Sequence, residues 1–209
     1  MFLKVAMGSL LSRKGSAAMT LMAISVAVFV LLGIEQIRQQ ARDSFASTVS
    51  GVDLIVGAKT GSMNLLLYSV FRIGSPTDNI SWQAYRDIAE SDDVAWAIPI
   101  SLGDSHEGYR VVGTAQAFFD HFSFGKKRRL TFSEGTAFEG TFDAVLGSEV
   151  ASALGYSVGR EIILAHGLAS TSFTKHDNQP FIVVGVLAPT GTPVDQTIHV
   201  RLEGIEAMH

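Results

Sequence analysis

Three histidine–carboxylate neighbourhoods are the first places to look for chemistry: Asp104 with His106 and Glu107, Asp120 with His121, and His176 with Asp177. Imidazole and carboxylate together could ligate a metal ion or pass a proton. Neighbouring residues on a strand point to opposite faces, so none of these is a ligand pair by spacing alone. Neither HExxH nor a three-histidine cluster occurs, and all three groups read as solvated loop residues. Gly147-Ser148-Glu149 follows a strand pattern and opens a helical one, as a nucleophile elbow does. That elbow is G-x-S-x-G; here one glycine directly precedes the serine and Val150 stands in the closing glycine's place, so Ser148 is expected to cap the helix. No GxxxxGK[ST] loop occurs, so the chain does not hold ATP by a P-loop of its own. Lys126-Lys127-Arg128-Arg129 could meet lipid headgroups, but a solvated loop is the plainer reading. Cysteine is absent, which removes thiol catalysis, Cys-ligated zinc and disulfides. No catalytic, cofactor-binding or metal-ligating residue is therefore expected, and no enzyme.

The elements around these residues begin with one uncharged run. Gly15–Ile34, GSAAMTLMAISVAVFVLLGI, has Lys4, Arg13 and Lys14 ahead of it. At about 1.5 Å per helical residue it spans roughly 30 Å, the hydrocarbon thickness of a bilayer. Basic residues on the short side place the N-terminus in the cytoplasm and the bulk of the chain outside. A cleaved signal peptide is the alternative, but its apolar core would be shorter and followed by a small-x-small site. Here the run passes directly into the polar helical sequence Glu35-Gln-Ile-Arg-Gln-Gln-Ala-Arg. Before it, Leu3, Met7, Leu10 and Leu11 share one helical arc, which predicts a short amphipathic helix in the membrane interface rather than an unstructured leader. After it, Ile34, Ile37, Ala41, Phe45 and Thr48 recur at helical spacing, so a stalk is expected to run to Ser50-Gly51. The expected divisions are an interfacial helix at 1–14, a transmembrane helix at 15–34, a stalk at 35–50 and a folded domain at 51–209.

Composition agrees: 47% of residues are hydrophobic and 17% charged, with mean hydropathy +0.27. A net charge of −4 argues against nucleic acid as a partner. Within the domain, Gly51–Ala58 reads as a buried strand, and Leu65–Phe71 as a buried helical turn or a surface docked on another chain. A helix capped by Ser81 runs to about Glu90, with Ile80 and Tyr85 placed as a hydrophobic staple. Strands are expected at Val94–Leu102 and Tyr109–Ala115, joined by a turn at 103–108. A short helix over 116–122, a strand over 143–147 and a helix over 148–154 stopped by Gly155 follow. Strands at 161–165, 181–188 and 196–202 complete an α+β domain.

Five segments in this order carry a family resemblance: GVDLIVGAK at 51–59, ISWQAY at 80–85, AIPISLGD at 97–104, VLGSEVASALGYSVGREI at 145–162 and FIVVGVLAPTGTPVD at 181–195. Together they resemble the permease subunits of ABC transporters of the MacB/LolC/FtsX-like group, namely the first membrane helix and the MacB-like periplasmic core domain. Arg160 departs from the pattern, standing where relatives carry an acidic residue. The group also continues into further membrane helices, so the chain reads as the N-terminal portion of a permease. The resemblance implies membrane lipid, a separate ABC ATPase subunit and a second permease copy or paralogue as partners, and no cofactor. It also implies the cell inner membrane as location, with the main domain periplasmic, and a mechanical role rather than a catalytic one. The alternatives are a single-pass anchored periplasmic enzyme or binding module, which needs a convergent polar site, and a membrane-anchored sensor, which needs a cytoplasmic output domain.

Overall fold

A computed structural model describes residues 13–48, 50–74, 78–166 and 180–208. The expected interfacial helix lies outside the described residues but for its last two, as do His176 and Asp177. The chain divides into two compact units, Met1–Phe45 and Ala46–His209.

The first unit is built on α1 (Lys14–Thr48), within which Lys14–Gln40, 27 residues, contains an 18-residue window of mean hydropathy 2.5 with none of that window buried. Such a helix is about 40 Å long. Alanine, leucine and methionine favour the helix, and its apolar side chains would be costly in water, which suits a lipid surround. Just past Ile34 the polarity changes: Glu35 accepts from Arg38 at 2.9 and 2.7 Å and from Gln39 at 3.1 Å.

The second unit is a mixed sheet with helices. In chain order come α2 (Ser62–Ser69), α3 (Trp82–Ala89), β1 (Ser101–His106), β2 (Tyr109–Thr114), α4 (Ala117–His121), β3 (Ser123–Phe124), β4 (Arg128–Arg129) and β5 (Phe132–Gly135). Then follow β6 (Asp143–Leu146), α5 (Ser148–Leu154), β7 (Glu161–Ile162), β8 (Ala165–His166), β9 (Phe181–Leu187), a 3-10 turn (Pro193–Gln196), β10 (Thr197–Arg201) and α6 (Leu202–Met208). The sheet order is β5-β9-β6-β10-β2-β1-β8, with β7 on β9 beside β5. The pairs β6–β9 and β2–β10 are parallel and the rest antiparallel. The fold is α+β.

Sheet curvature follows from one short connection. β7 pairs with β9 and β8 with β1, and only Ile163 and Leu164 separate them. With β7 outside β9 and β8 outside β1, the two are six strand spacings apart, about 29 Å in a flat sheet, while three residue steps reach about 11 Å at most. The sheet must therefore curl and bring its edges together. The curl encloses a core of Val111, Leu146, Val150, Ile162, Leu164, Phe181, Ile198 and Val200, which Ile205 and Met208 of α6 pack against. The other face carries a second core rich in phenylalanine: Phe118, Phe119, Phe122, Phe124 and Phe138, with Val145 and Leu187. Ala144 and Leu146 belong to the first core and Val145 to the second, the period-two alternation of a strand buried on both sides.

Several expected elements are observed as read. Ser81 caps α3, its Oγ accepting from the Ala84 amide at 3.1 Å, and Gly155 ends α5 in the left-handed conformation, φ 66°. Others are corrected. Gly51–Ala58 forms no strand; among the described residues no neighbour pairs with it, and Leu54 is 75% exposed. The first hairpin strand starts at Ser101, not Val94, because Pro99 has no N–H to give to a ladder and its carbonyl instead accepts from Thr114 Oγ1 at 2.8 Å. The turn expected over 103–108 is only Glu107-Gly108, both at positive φ (49° and 84°), while Gly103–His106 belong to β1 with a bulge before Ser105. The segment 161–165 is two strands on different partners, and β3, β4, β5 and α6 were not anticipated.

Candidate functional site

His106 closes the first hairpin strand against the curled edge. It is 8% exposed, its Nδ1 is 2.7 Å from the Ile163 carbonyl, and its Nε2 is 3.2 Å from the Tyr156 hydroxyl. A carbonyl can only accept, so Nδ1 carries the proton and donates, and Nε2 accepts from the tyrosine. The Arg160 guanidinium lies 5.0 Å from the Tyr156 ring centroid. The whole forms a clasp between β1 and the loop of 155–163, and both imidazole nitrogens are committed to it. Asp104 is buried in the same strand, while Glu107 is exposed at the turn. Among the described residues, no three metal-ligating side chains converge.

His121 is exposed and stacks face to face on Trp96, centroids 5.1 Å apart, while the Asp120 carbonyl accepts from Arg129 at 2.6 Å. The basic run forms the β3–β4 hairpin, in which Arg128 lies over the Phe124 ring at 4.6 Å. Two of its four charges are thus held against the domain, and Lys126 and Lys127 are solvated at the tip.

Ser148 is not the helix cap. The N-cap of α5 is Gly147, and Ser148 is the first helical residue with no capping hydrogen bond. The reason is space: a Cβ on residue 147 would lie 2.3 Å from the Val194 carbonyl oxygen and 2.4 Å from that of Asp195. The 3-10 turn packs against the start of α5 so closely that only glycine fits. Gln196 of that turn then donates to Glu149 at 2.8 Å.

Two polar centres escaped the sequence reading. Asp195, 3% exposed, receives the Thr190 amide at 2.9 Å, the Thr190 hydroxyl at 2.9 Å and the Gly191 amide at 2.7 Å, which ties down the β9–β10 connection. Thr192-Pro193, a cap followed by proline, is the signal that could have found it. His199 on β10 is fully buried, stacked on Phe118 at 4.8 Å, with Nε2 3.2 Å from Thr197 Oγ1. Burial, reinforced by the nearby Arg72 charge, pushes its pKa down to about 3. It is a neutral core residue at physiological pH, and nothing in a run of five strand residues distinguishes it by sequence.

Among the described residues, the sequence-predicted groups are held in structural contacts with no nucleophile beside a base. The family profile described as MacB-like periplasmic core domain matches residues 17–207. Among solved structures, a domain of a candidate permease from Porphyromonas gingivalis is 16% identical, with a TM-score of 0.38 over 56% of this chain and 55% of that one. The chain thus matches little more than half the length of that domain. No curated protein matches the chain.

Proposed function

The chain belongs to the family of MacB-like periplasmic core domains, and on that premise we propose that it is a permease component of an ABC transporter. In this reading it works with a separate ABC ATPase and a second permease copy or paralogue. The carrying observation is the extent of the family match. It begins inside the apolar helix, at residue 17, and runs through the sheet domain to 207, which supports a helix that stays with the domain rather than a leader cleaved from its cargo.

Lys4, Arg13 and Lys14 orient the helix with its N-terminus in the cytoplasm, which puts the sheet domain in the periplasm of an inner-membrane protein. Residues 15–34 cross the bilayer and 35–50 form the stalk. ATP binding inside draws two permeases together, and the stalks carry that displacement to the outer domains. A rigid two-cored sheet suits this task, because packed interiors transmit strain instead of absorbing it. No step needs a group of unusual pKa.

The test is reconstitution of the permease with its ATPase in proteoliposomes. ATP hydrolysis that depends on the permease, and substrate movement that depends on both, is the expected result. A permease that neither binds an ABC ATPase nor alters its turnover would overturn the assignment.

A further inference from the structure

Arg72 follows α2 in a left-handed conformation, φ 59°, and only 7% of its surface is exposed. Its Nη1 donates to the Ser69 carbonyl at 2.5 Å. Among the described residues no carboxylate lies within ion-pair distance of it. A guanidinium has five N–H donors in a rigid fork, and among the described residues the Ser69 carbonyl is the acceptor recorded for it, with no carboxylate to balance the charge. Burial pulls its pKa down to about 10, which still leaves it cationic at neutral pH. Buried charges are normally paired, because desolvation is otherwise uncompensated.

The surroundings extend the pattern. Arg72 lines an open cleft of about 310 Å³ together with Ile73, Tyr109, Arg110, Gln196 and Thr197. Arg110 donates to the Gly74 carbonyl, which holds a second guanidinium in that wall. The Tyr68 hydroxyl is buried without a hydrogen-bond partner among the described residues; burial pushes its pKa up while the Arg110 charge pulls it back. His199, whose pKa burial and the Arg72 charge lower, is neutral and offers no counter-charge.

We propose that this cleft is an oxyanion-binding site in which Arg72 and Arg110 together receive a carboxylate or phosphate group. Both groups present paired oxygens to a guanidinium fork, and arginine binds them bidentately where lysine acts only as a point charge. The group comes either from a free ion or from an acidic side chain of a partner protein. All the residues involved lie in the sheet domain, so the site stands or falls independently of the permease reading.

The experiment uses the full chain in nanodiscs, titrated with sodium phosphate and, separately, with a tetraglutamate peptide, each against sodium chloride at equal ionic strength. Thermal stability and the arginine Nε–H NMR signals are the readouts. Phosphate should raise the melting temperature and move the Arg72 signal. Arg72→Gln should abolish both responses without lowering the unliganded melting temperature, since it removes an uncompensated charge. Arg110→Gln should weaken binding about tenfold, the loss of one charge-assisted contact. A response to the peptide alone, absent from Arg72→Gln, keeps the site and assigns its ligand to a protein partner. Should Arg72→Gln fail to fold, Arg72→Lys keeps the charge without the fork and should still bind, more weakly than the parent. Probes that act no more strongly than chloride, or equally on the parent and the Arg72 variants, would overturn the proposal.

Discussion

His199 is stacked on Phe118 at 4.8 Å and meets Phe119 edge-on at 6.2 Å, so the imidazole behaves as part of an aromatic core. Its pKa of about 3 against 6.5 when free makes it an acid sensor of stability. Above pH 6.5 both folded and unfolded states are neutral there. Between about 6.5 and 3 the unfolded chain takes up a proton that the folded one refuses, so stability falls as pH falls. At about 1.4 kcal/mol per unit the loss approaches, as an upper bound, about 5 kcal/mol by pH 3. Replacing His199 with Leu should flatten this limb in urea melts taken from pH 7 to 4; an unchanged slope would assign acid sensitivity elsewhere. Gly147 and Ser148 make the second residue-scale contrast. Gly147→Ala would drive a methyl into two carbonyl oxygens and should destabilise by about 2–3 kcal/mol. Ser148→Ala removes a side chain that caps nothing and should stay within about 0.5 kcal/mol. Chemical denaturation of the two variants checks both; equal losses would return the capping role to Ser148.

At the scale of elements, the hairpin shows how local chemistry and tertiary demand divide the work. Glu107-Gly108 at positive φ is the two-residue turn that matches strand twist, and it fixes which of Gly103–His106 join the ladder. Asp195 does the same for the β9–β10 connection by gathering two amides and a hydroxyl from Thr190 and Gly191. Asp195→Ala leaves those buried donors unpaired and should cost about 2–4 kcal/mol, read as a shifted denaturation midpoint with an unchanged slope. For the proposed stalk, the helical spacing of Ile37 and Phe45 supplies the test. Replacing both with Asp should leave the sheet domain folded but abolish transport while ATP hydrolysis persists; wild-type transport would remove that helix from the mechanism.

For the whole molecule, the proposed topology has a direct readout. The protein should resist carbonate extraction from membranes, and protease added to the periplasm should digest the chain from Glu35 onward. A soluble form beginning near Ser47 would show that the apolar helix is cleaved rather than retained. Ser148, His106 and His121 belong to a cap-adjacent position, a structural clasp and a surface stack respectively. Substituting all three should therefore alter stability and leave transport intact, measured in the same reconstituted system.

The apolar helix, the α+β class, the Ser81 cap and the Gly155 stop were all readable in the sequence, because each depends on composition or on residues within one turn of one another. The family resemblance was readable for a related reason: the order of short motifs is itself a property of the chain. The curl of the sheet, the pairing of β7 and β8 with different partners, and the failure of Gly51–Ala58 to become a strand were not. Strand pairing depends on partners remote in the chain, and a β-prone segment without a neighbour has no ladder to join. The same holds for the polar groups. His106, His199 and Arg72 resemble any other surface-capable side chains in a one-dimensional reading. Only folding set one in a clasp, one between phenyl rings, and one in a cleft without a described carboxylate, because burial and neighbouring charge exist only once distant segments meet.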